Sequence, residues 1–200
     1  MADPGYIVNG VLTDGEAWVG ITTTTLGSDT ATITFTSTDD GQVGDFSQYM
    51  DLVVIAYVAT DHSASDLLKC HLNGDTTNAN YPYQYLWGDG TSGGRVEAGY
   101  AATSSRGIES RFCAASDNAN LFTAIVYNFF DVNSGKYKST LVLTANDEDA
   151  NVGTSIASLT SSTWLSQAPI TSMVFAPNAG SNIAAGTMIS LFGVLPRMVA

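Results

Sequence analysis

The residues best suited to binding chemistry are four aromatics spaced two apart, Tyr81, Tyr83, Tyr85 and Trp87. Side chains alternate between the faces of a β-strand, so a strand over these positions sets all four on one face. Flat ring faces stack on sugar rings, while the phenol and indole tips form hydrogen bonds. Tyr and Trp are also favoured in cores and subunit interfaces, and we favour that interpretation over a glycan platform. Pro82 predicts an edge position, or a strand that begins only after it.

Two acidic segments carry clustered carboxylates, Asp39-Asp40 and Asp147-Glu148-Asp149. Ca²⁺ is bound by about six to eight oxygen ligands, which EF-hand loops supply at a fixed spacing. Neither segment has that spacing. We therefore predict solvated loop tips and no metal site.

The chain contains two histidines, His62 and His71. The sequence has no Gly-x-Ser-x-Gly nucleophile elbow and no histidine pair at a metal-binding spacing. His71 alternates with Lys69, which predicts a solvent-facing position on the outer face of its strand. The sequence also gives no support for a pair of carboxylates that would hydrolyse glycosidic bonds. We expect a protein that is not an enzyme and has no cofactor.

The elements that position these residues are strands. Residues 30–36 alternate between apolar and threonine side chains, as in a strand with one buried face. Residues 52–60 and 121–130 are apolar on both faces, which predicts central strands. A hairpin is predicted to turn at residues 133–135 into a strand over residues 137–144. In that strand we expect Leu141 and Leu143 to face the core, and Lys136, Lys138 and Thr140 to face solvent.

About eleven short strands with regular turn signals predict an all-β fold, a two-sheet antiparallel sandwich of the jelly-roll type. The remaining strands are predicted at residues 17–24, 67–72, 83–87, 108–112, 153–159, 171–175 and 187–195. No linker divides the chain. We assign residues 16–200 to this domain and residues 1–15 to an N-terminal arm.

The arm contains apolar residues between Gly and Pro breaks, with Tyr6, Ile7 and Val8 at its centre. An apolar lead-in to a compact domain needs a surface that buries it. We predict that the arm contacts a partner protein or a neighbouring subunit. The alternative is that it forms an edge strand of its own sandwich.

Composition excludes several classes of partner. Hydrophobic residues make up 44% of the chain, charged residues only 13%, and the formal net charge is −12. A core can form, but the negative field disfavours nucleic acid and anionic membranes. No apolar run approaches the roughly 20 residues that span a bilayer, and residues 1–5 do not look like a signal peptide. We expect Cys70 to be buried, and we disfavour a disulfide with Cys113.

Two segments carry a family resemblance. The first is Leu72-Asn73-Gly74-Asp75-Thr76, followed by Asn80-Tyr81 and Gly88-Asp89-Gly90. The second runs from Trp164 through Pro169-Ile170-Thr171 to the closing strand at residues 186–193. Both resemble virion surface proteins of tailed phages, especially those of marine and cyanobacterial hosts. The closing strand of that family reads Gly-Ser-x-Ile-x-Leu-Tyr-Gly, and here Thr187 replaces Ser and Phe192 replaces Tyr.

This resemblance covers roughly residues 46–195 and implies a jelly-roll domain, often a homotrimer, on the outside of a particle. Such domains occur in head decoration proteins and in tail-fibre tips. The chain has no heptad or collagen-like repeat that would form a shaft. We therefore expect a capsid decoration or cement protein on the virion surface, with the major capsid protein and itself as partners. The alternative is a tail-fibre or spike protein that recognises host glycans.

Overall fold

The regular secondary structure of the described residues consists almost wholly of antiparallel strands. The structure is a computed structural model that describes residues 7–8, 11–12, 18–64, 66–88, 95–99, 107–112, 121–146, 155–179 and 181–195. Within these ranges, helical structure is confined to two 3₁₀ turns, Phe46–Gln48 and Asn78–Asn80. The predicted all-β class is confirmed.

The strands found in the described ranges are numbered here in chain order. They are β1 (Ile7–Val8), β2 (Val11–Leu12), β3 (Trp18–Thr25), β4 (Ile33–Thr36), β5 (Asp51–Val58), β6 (Asp66–Leu72), β7 (Tyr83–Gly88), β8 (Arg95–Gly99), β9 (Ile108–Phe112), β10 (Thr123–Phe130), β11 (Lys138–Asn146), β12 (Ile156–Trp164), β13 (Ser172–Pro177) and β14 (Met188–Val194).

All but β1 and β2 belong to two sheets. The large sheet has the order β3-β14-β5-β10-β11-β12-β7-β8, and the small sheet has the order β4-β13-β6-β9. The chain crosses between them repeatedly, because β3, β5, β10 and β14 lie in the large sheet while β4, β6, β9 and β13 lie in the small one. This alternation is that of a jelly roll. The pairs β7–β8 and β11–β12 are inserted into it and extend the large sheet on one side.

The core lies between the two sheets. The inner face of the large sheet contributes Leu52, Val54 and Tyr127, and the small sheet contributes Phe175, all with 0% exposure. The Tyr127 and Phe175 rings meet edge to face, with centroids 5.4 Å apart. Full burial of each such side chain stabilises the fold by about 1.5–3 kcal/mol. These contacts make the two sheets one sandwich, as predicted.

The predicted facing of β11 is wrong. Leu143 is 48% exposed on the outer face of the large sheet, whereas its neighbour Val142 is 0% exposed in the core. The pairing register explains this, because Leu143 lies opposite Val126 on β10 and Leu159 on β12. Directly paired residues share a face. The polarity pattern predicted the wrong facing for these side chains because the outer face of this sheet is itself apolar.

Lys138 and Thr140 are correspondingly buried on the inner face. Leu141, predicted in the core, lies half-buried on the outer face. The Lys138 ammonium group donates a hydrogen bond to the backbone oxygen of Lys136. Burial lowers the pKa of Lys138, although Asp131 opposes the shift. The long stem of Lys138 therefore packs inward while its head reaches a polar group at the end of the strand.

His71 is also placed differently from the prediction. It lies on the outer face of the small sheet, yet it is only 9% exposed. Its ring lies 5.9 Å from the Tyr81 ring, and Gly107 approaches it so closely that a Cβ there would lie 2.8 Å from its Cδ2. This histidine is a packed side chain, whereas His62 is partly exposed.

The described part of the arm is a small hairpin. Ile7 pairs with Leu12 and Val8 pairs with Val11, with Asn9-Gly10 between the strands. Asn-Gly is the preferred pair for a tight hairpin turn. Within the described residues this hairpin pairs with neither sheet. Tyr6 lies outside the described residues. No helix in the described part of the chain is long and apolar enough to cross a membrane.

Candidate functional site

The residues around Asp75 that carry the family resemblance form a hydrogen-bonded cluster, called here the Asp75 latch. The Asp75 carboxylate oxygen Oδ2 accepts from the Trp164 indole Nε1 at 2.9 Å and from Asn80 Nδ2 at 2.7 Å. The Tyr81 hydroxyl donates to the Asp75 backbone oxygen at 2.8 Å and accepts from the Leu72 N–H at 3.0 Å. All of these groups bind one another, which indicates a structural role.

Asn73 extends the latch to the β12–β13 connection. Its Oδ1 accepts from the Thr171 N–H at 2.8 Å and the Ser172 N–H at 3.0 Å, and its Nδ2 donates to the Pro169 oxygen at 2.7 Å. Asn73 and Gly74 both have positive φ, at 51° and 70°. Short polar residues and glycine tolerate that conformation best. The two resembling segments thus meet in space and tie β6 to the chain that leads into β13.

The four aromatic residues predicted to share one strand face do not all lie on it. Tyr81 precedes β7, is 0% exposed and belongs to the latch. The late strand start after Pro82 is confirmed. Tyr83, Tyr85 and Trp87 share the inner face of β7 and are half-buried, and the Tyr85 and Trp87 rings stack with centroids 6.4 Å apart.

Hydroxyl side chains lie next to these rings. Ser162, Thr160 and Ser158 on β12 pair with Tyr83, Tyr85 and Trp87. The three hydroxyl residues are 2–7% exposed. Among the described residues, the Ser158 hydroxyl has no hydrogen-bond partner. The rings on β7 and the hydroxyl groups on β12 form a strip that combines aromatic ring faces with buried polar oxygens.

In the described part of the chain, the outer face of the large sheet carries exposed apolar side chains. A straight row of directly paired aliphatic residues crosses five strands there and is called here the aliphatic belt: Ile55, Val126, Leu143, Leu159 and Leu86. Leu143, Leu86 and Ile55 are exposed by 48%, 47% and 42%. The belt residues carry no charge, and the row continues on β14 with Ser190.

A parallel row of small residues lies beside the belt and is called here the alanine trough: Ala124, Ala145, Ala157 and Gly88. The step from large to small side chains creates a depression of about 610 Å³ lined by both rows. Tyr57 pairs with Ala124 and stacks on Phe122 with centroids 5.2 Å apart, which bounds the trough at one end. Its floor and wall are apolar, so it can bury a matching apolar segment.

The remaining sequence candidates show no chemistry of their own. The Asp40 carboxylate accepts from the Thr38 hydroxyl at 2.6 Å and from the Gln42 N–H at 3.0 Å, and these bonds lower its pKa. Asp147–Asp149 and Cys113 lie outside the described residues. Cys70 is a free, buried thiol whose pKa is raised by burial, so it is a poor nucleophile. Over the ranges described, no group of three His, Cys, Asp or Glu side chains could hold a metal ion.

Comparisons with known proteins do not identify a family. No family model matches the chain, and no curated protein matches it. One solved structure that does match is "Crystal structure of Scytalido-glutamic peptidase with a peptide based transition state analog". It is 13% identical with a TM-score of 0.23, and the match covers 84% of this chain but only 66% of that chain. A likeness this weak carries no argument about activity.

The belt and the trough were missed by the sequence analysis, although a signal was present. Residues 52–60 and 121–130 are apolar on both faces, which is typical of strands buried on both faces. Within the described residues their inner face is covered, and their outer face is left partly open at Ile55, Tyr57 and Phe130. The apolar second face is the sequence signal of this open surface.

Proposed function

We propose that this protein is a non-catalytic structural subunit of a tailed-phage virion, which decorates the head by binding the major capsid protein. The observation that carries the proposal is the aliphatic belt, with Leu143 and Leu86 almost half exposed. Monomeric proteins rarely expose contiguous apolar patches larger than a few hundred Å², and larger ones mark binding sites. The resemblance of the latch and closing segments to virion surface proteins supplies the setting.

The physical role follows from contact area. A phage head is pressurised from within, so a subunit that bridges neighbouring capsid proteins adds contacts that resist their separation. An uncharged belt suits such a contact, because each side chain that is still about half exposed contributes roughly half of the 1.5–3 kcal/mol that full burial gives. It also lets a chain with a net charge of −12 dock without bringing like charges together.

Particle binding by matched variants tests this proposal. Ile55→Asp places a charge at the β5 end of the aliphatic belt, and Thr36→Asp places the same charge on an exposed position of the small sheet. We expect Ile55→Asp to weaken co-sedimentation with particles at least tenfold and Thr36→Asp to leave it unchanged. An electron-microscopy map of the particle should place the jelly roll on the head exterior with its large sheet against the shell. Equal binding by both variants would count against the belt, and a tail position would overturn the decoration role.

A glycan-binding tail protein is the second candidate. It is favoured by the Tyr85–Trp87 stack beside the hydroxyls of Ser158 and Thr160. Ring faces and hydroxyl groups together suit a sugar ring. In that case Trp87→Ala should abolish attachment to host cells while the protein stays folded. If attachment persists and only thermal stability falls, the strip is structural and the second candidate is wrong.

A further inference from the structure

We infer that the alanine trough binds the N-terminal hairpin of a neighbouring copy, so that the arm joins one subunit to the next. The inference rests on the proposed function in one respect, which is that the outer face of the large sheet is an interface. It names the occupant of the trough as residues 7–12 of a second copy. The argument rests on charge, on the needs of an isolated hairpin and on the reach of the chain.

Charge matches the hairpin to the trough. Residues 4–13 contain no charged side chain, although the whole chain has 19 acidic and 7 basic residues. The strand residues of the hairpin, Ile7, Val8, Val11 and Leu12, are all aliphatic. Burying an unpaired charge in an apolar site is unfavourable, because the charge loses its hydration and gains no partner. An uncharged aliphatic segment is the occupant that avoids this cost.

The hairpin needs a surface to pack against, because two strands alone do not stabilise it. A two-stranded hairpin alone is marginally stable in water, and it becomes stable when it packs on another element. β1 and β2 pair only with each other among the described strands. The trough floor crosses four strands from Ala124 to Gly88. At about 4.8 Å between strands this is roughly 14 Å, which is wide enough for a two-stranded ribbon.

The hairpin of one subunit cannot lie along the whole trough of that same subunit. The floor row continues through Tyr57 and Met188 to Thr25, at the end of β3 opposite to Trp18. The seven steps from Trp18 to Thr25 cover about 23 Å, and the three strand spacings from β3 to β10 cover about 14 Å, so the nearest floor residue is roughly 27 Å from Trp18. The six steps from Leu12 to Trp18 span at most about 21 Å. Leu12 therefore stays at least about 6 Å short of the nearest floor residue, and only the far end of the hairpin could meet the floor of its own subunit. Full occupation of the trough requires a second copy.

Such a contact determines the type of assembly. The arm and the trough are different surfaces, so the contact is heterologous and generates either a closed ring or an open chain. Each subunit would then donate one arm and receive one arm.

Light scattering of the purified chain at micromolar concentration tests the inference without any particle. We expect a mass at least twice that of one chain. Deletion of residues 2–12 and the floor variant Ala145→Glu should each reduce it to that of a single chain, while Thr36→Glu should not. Ala145 is exposed, so its variant should fold. A monomeric wild-type chain, or an oligomer that survives both changes, would overturn the inference.

Crosslinking gives an independent test. A Leu12→Cys copy mixed with an Ala145→Cys copy should form a disulfide-linked dimer, and a single chain with both changes should not crosslink within itself. Crosslinking within one chain would overturn the exchange between copies. The two proposals fail separately. If Ile55→Asp abolishes particle binding while arm deletion leaves the oligomer intact, only the arm inference is wrong.

Discussion

The Trp164 indole N–H donates to the Asp75 carboxylate across 89 residues of sequence, at 2.9 Å. Trp164 is buried at the end of β12, and Asp75 lies in the turn after β6. The bond therefore connects the small sheet to the added strands of the large sheet. This bond holds together the two segments that carry the family resemblance. Their residue types follow from the geometry of the turn.

Trp164→Phe tests the contribution of this bond. Phe keeps one aromatic ring but loses the donor together with the five-membered part of the buried indole, so we expect a loss of at least about 1.5–3 kcal/mol, the range for hydrogen bonds to charged groups. Urea unfolding measures it. Trp18→Phe is the matched control, because Trp18 is 49% exposed, and it should change stability by less than about 0.5 kcal/mol. Equal effects of the two changes would show that the bond contributes nothing.

Close packing explains why residue 193, near the end of β14, is a glycine. A Cβ at Gly193 would lie 2.2 Å from the Tyr49 ring, whereas a Cβ at Gly20, on the paired strand β3, would meet Phe192 at an ordinary 4.0 Å. Tyr49 is buried and its hydroxyl donates to the Val43 oxygen at 2.8 Å, so it cannot move freely. We expect Gly193→Ala to cost about 1–3 kcal/mol through overpacking.

Gly20→Ala is the matched control and should leave the melting temperature almost unchanged. Thermal unfolding of both variants, followed by circular dichroism, gives the comparison. A Gly193→Ala protein as stable as the wild type would mean that the Tyr49 ring relaxes without cost, and the close approach would then not explain this glycine.

Much of the fold was predictable because alternation reports strands directly. The pattern at residues 30–36 and the doubly apolar segments gave the strands β4, β5 and β10. The facing of β11 was not predictable from polarity. Both of its faces carry mixed side chains, with Lys138 and Thr140 inward and Leu141 and Leu143 outward. Register depends on partner strands, and a sequence read alone does not supply them.

The candidate site was only half predictable for the same reason. The aromatic row was visible as a spacing, but Pro82 delays the strand and sends Tyr81 into the latch. The belt needs five strands that are far apart in sequence to lie in one order. Its residues become a row only through the pairings of Val126 with Leu143 and of Leu159 with Leu86. β8 was missed altogether, because residues 95–99 carry no clear alternation.

Adjacent residues on β11 test the two faces. Val142→Ala should cost roughly 1.5–3 kcal/mol, because a fully buried side chain loses two methyl groups and leaves a cavity. Leu143→Ala should cost less than about 1 kcal/mol in the isolated subunit, since that side chain is 48% exposed. Denaturant unfolding of an arm-deleted chain measures both without interference from assembly. The reverse order would mean that the register of β11 is wrong.

Stability near neutral pH should depend on His71. Burial lowers the pKa of this imidazole, the charge of Lys69 acts in the same direction, and Asp75 opposes them. In the unfolded chain the pKa is about 6.5. As pH falls below that value, the unfolded chain binds a proton that the folded protein does not bind, so the unfolding free energy decreases until the lowered folded pKa is reached. The stability that a neutral His71 allows is therefore fully present above about pH 6.5 and is lost on acidification.

Unfolding free energies between about pH 7.5 and 5.5 test this dependence, since the carboxylates titrate mostly below that window. We expect His71→Phe to flatten the pH profile, because Phe keeps the ring contact with Tyr81 and cannot be protonated. His62→Gln, at the other histidine, should leave the wild-type slope in place. If His71→Phe retains the full slope, the imidazole is already solvated or paired in the folded state, and the acid sensitivity belongs to another group.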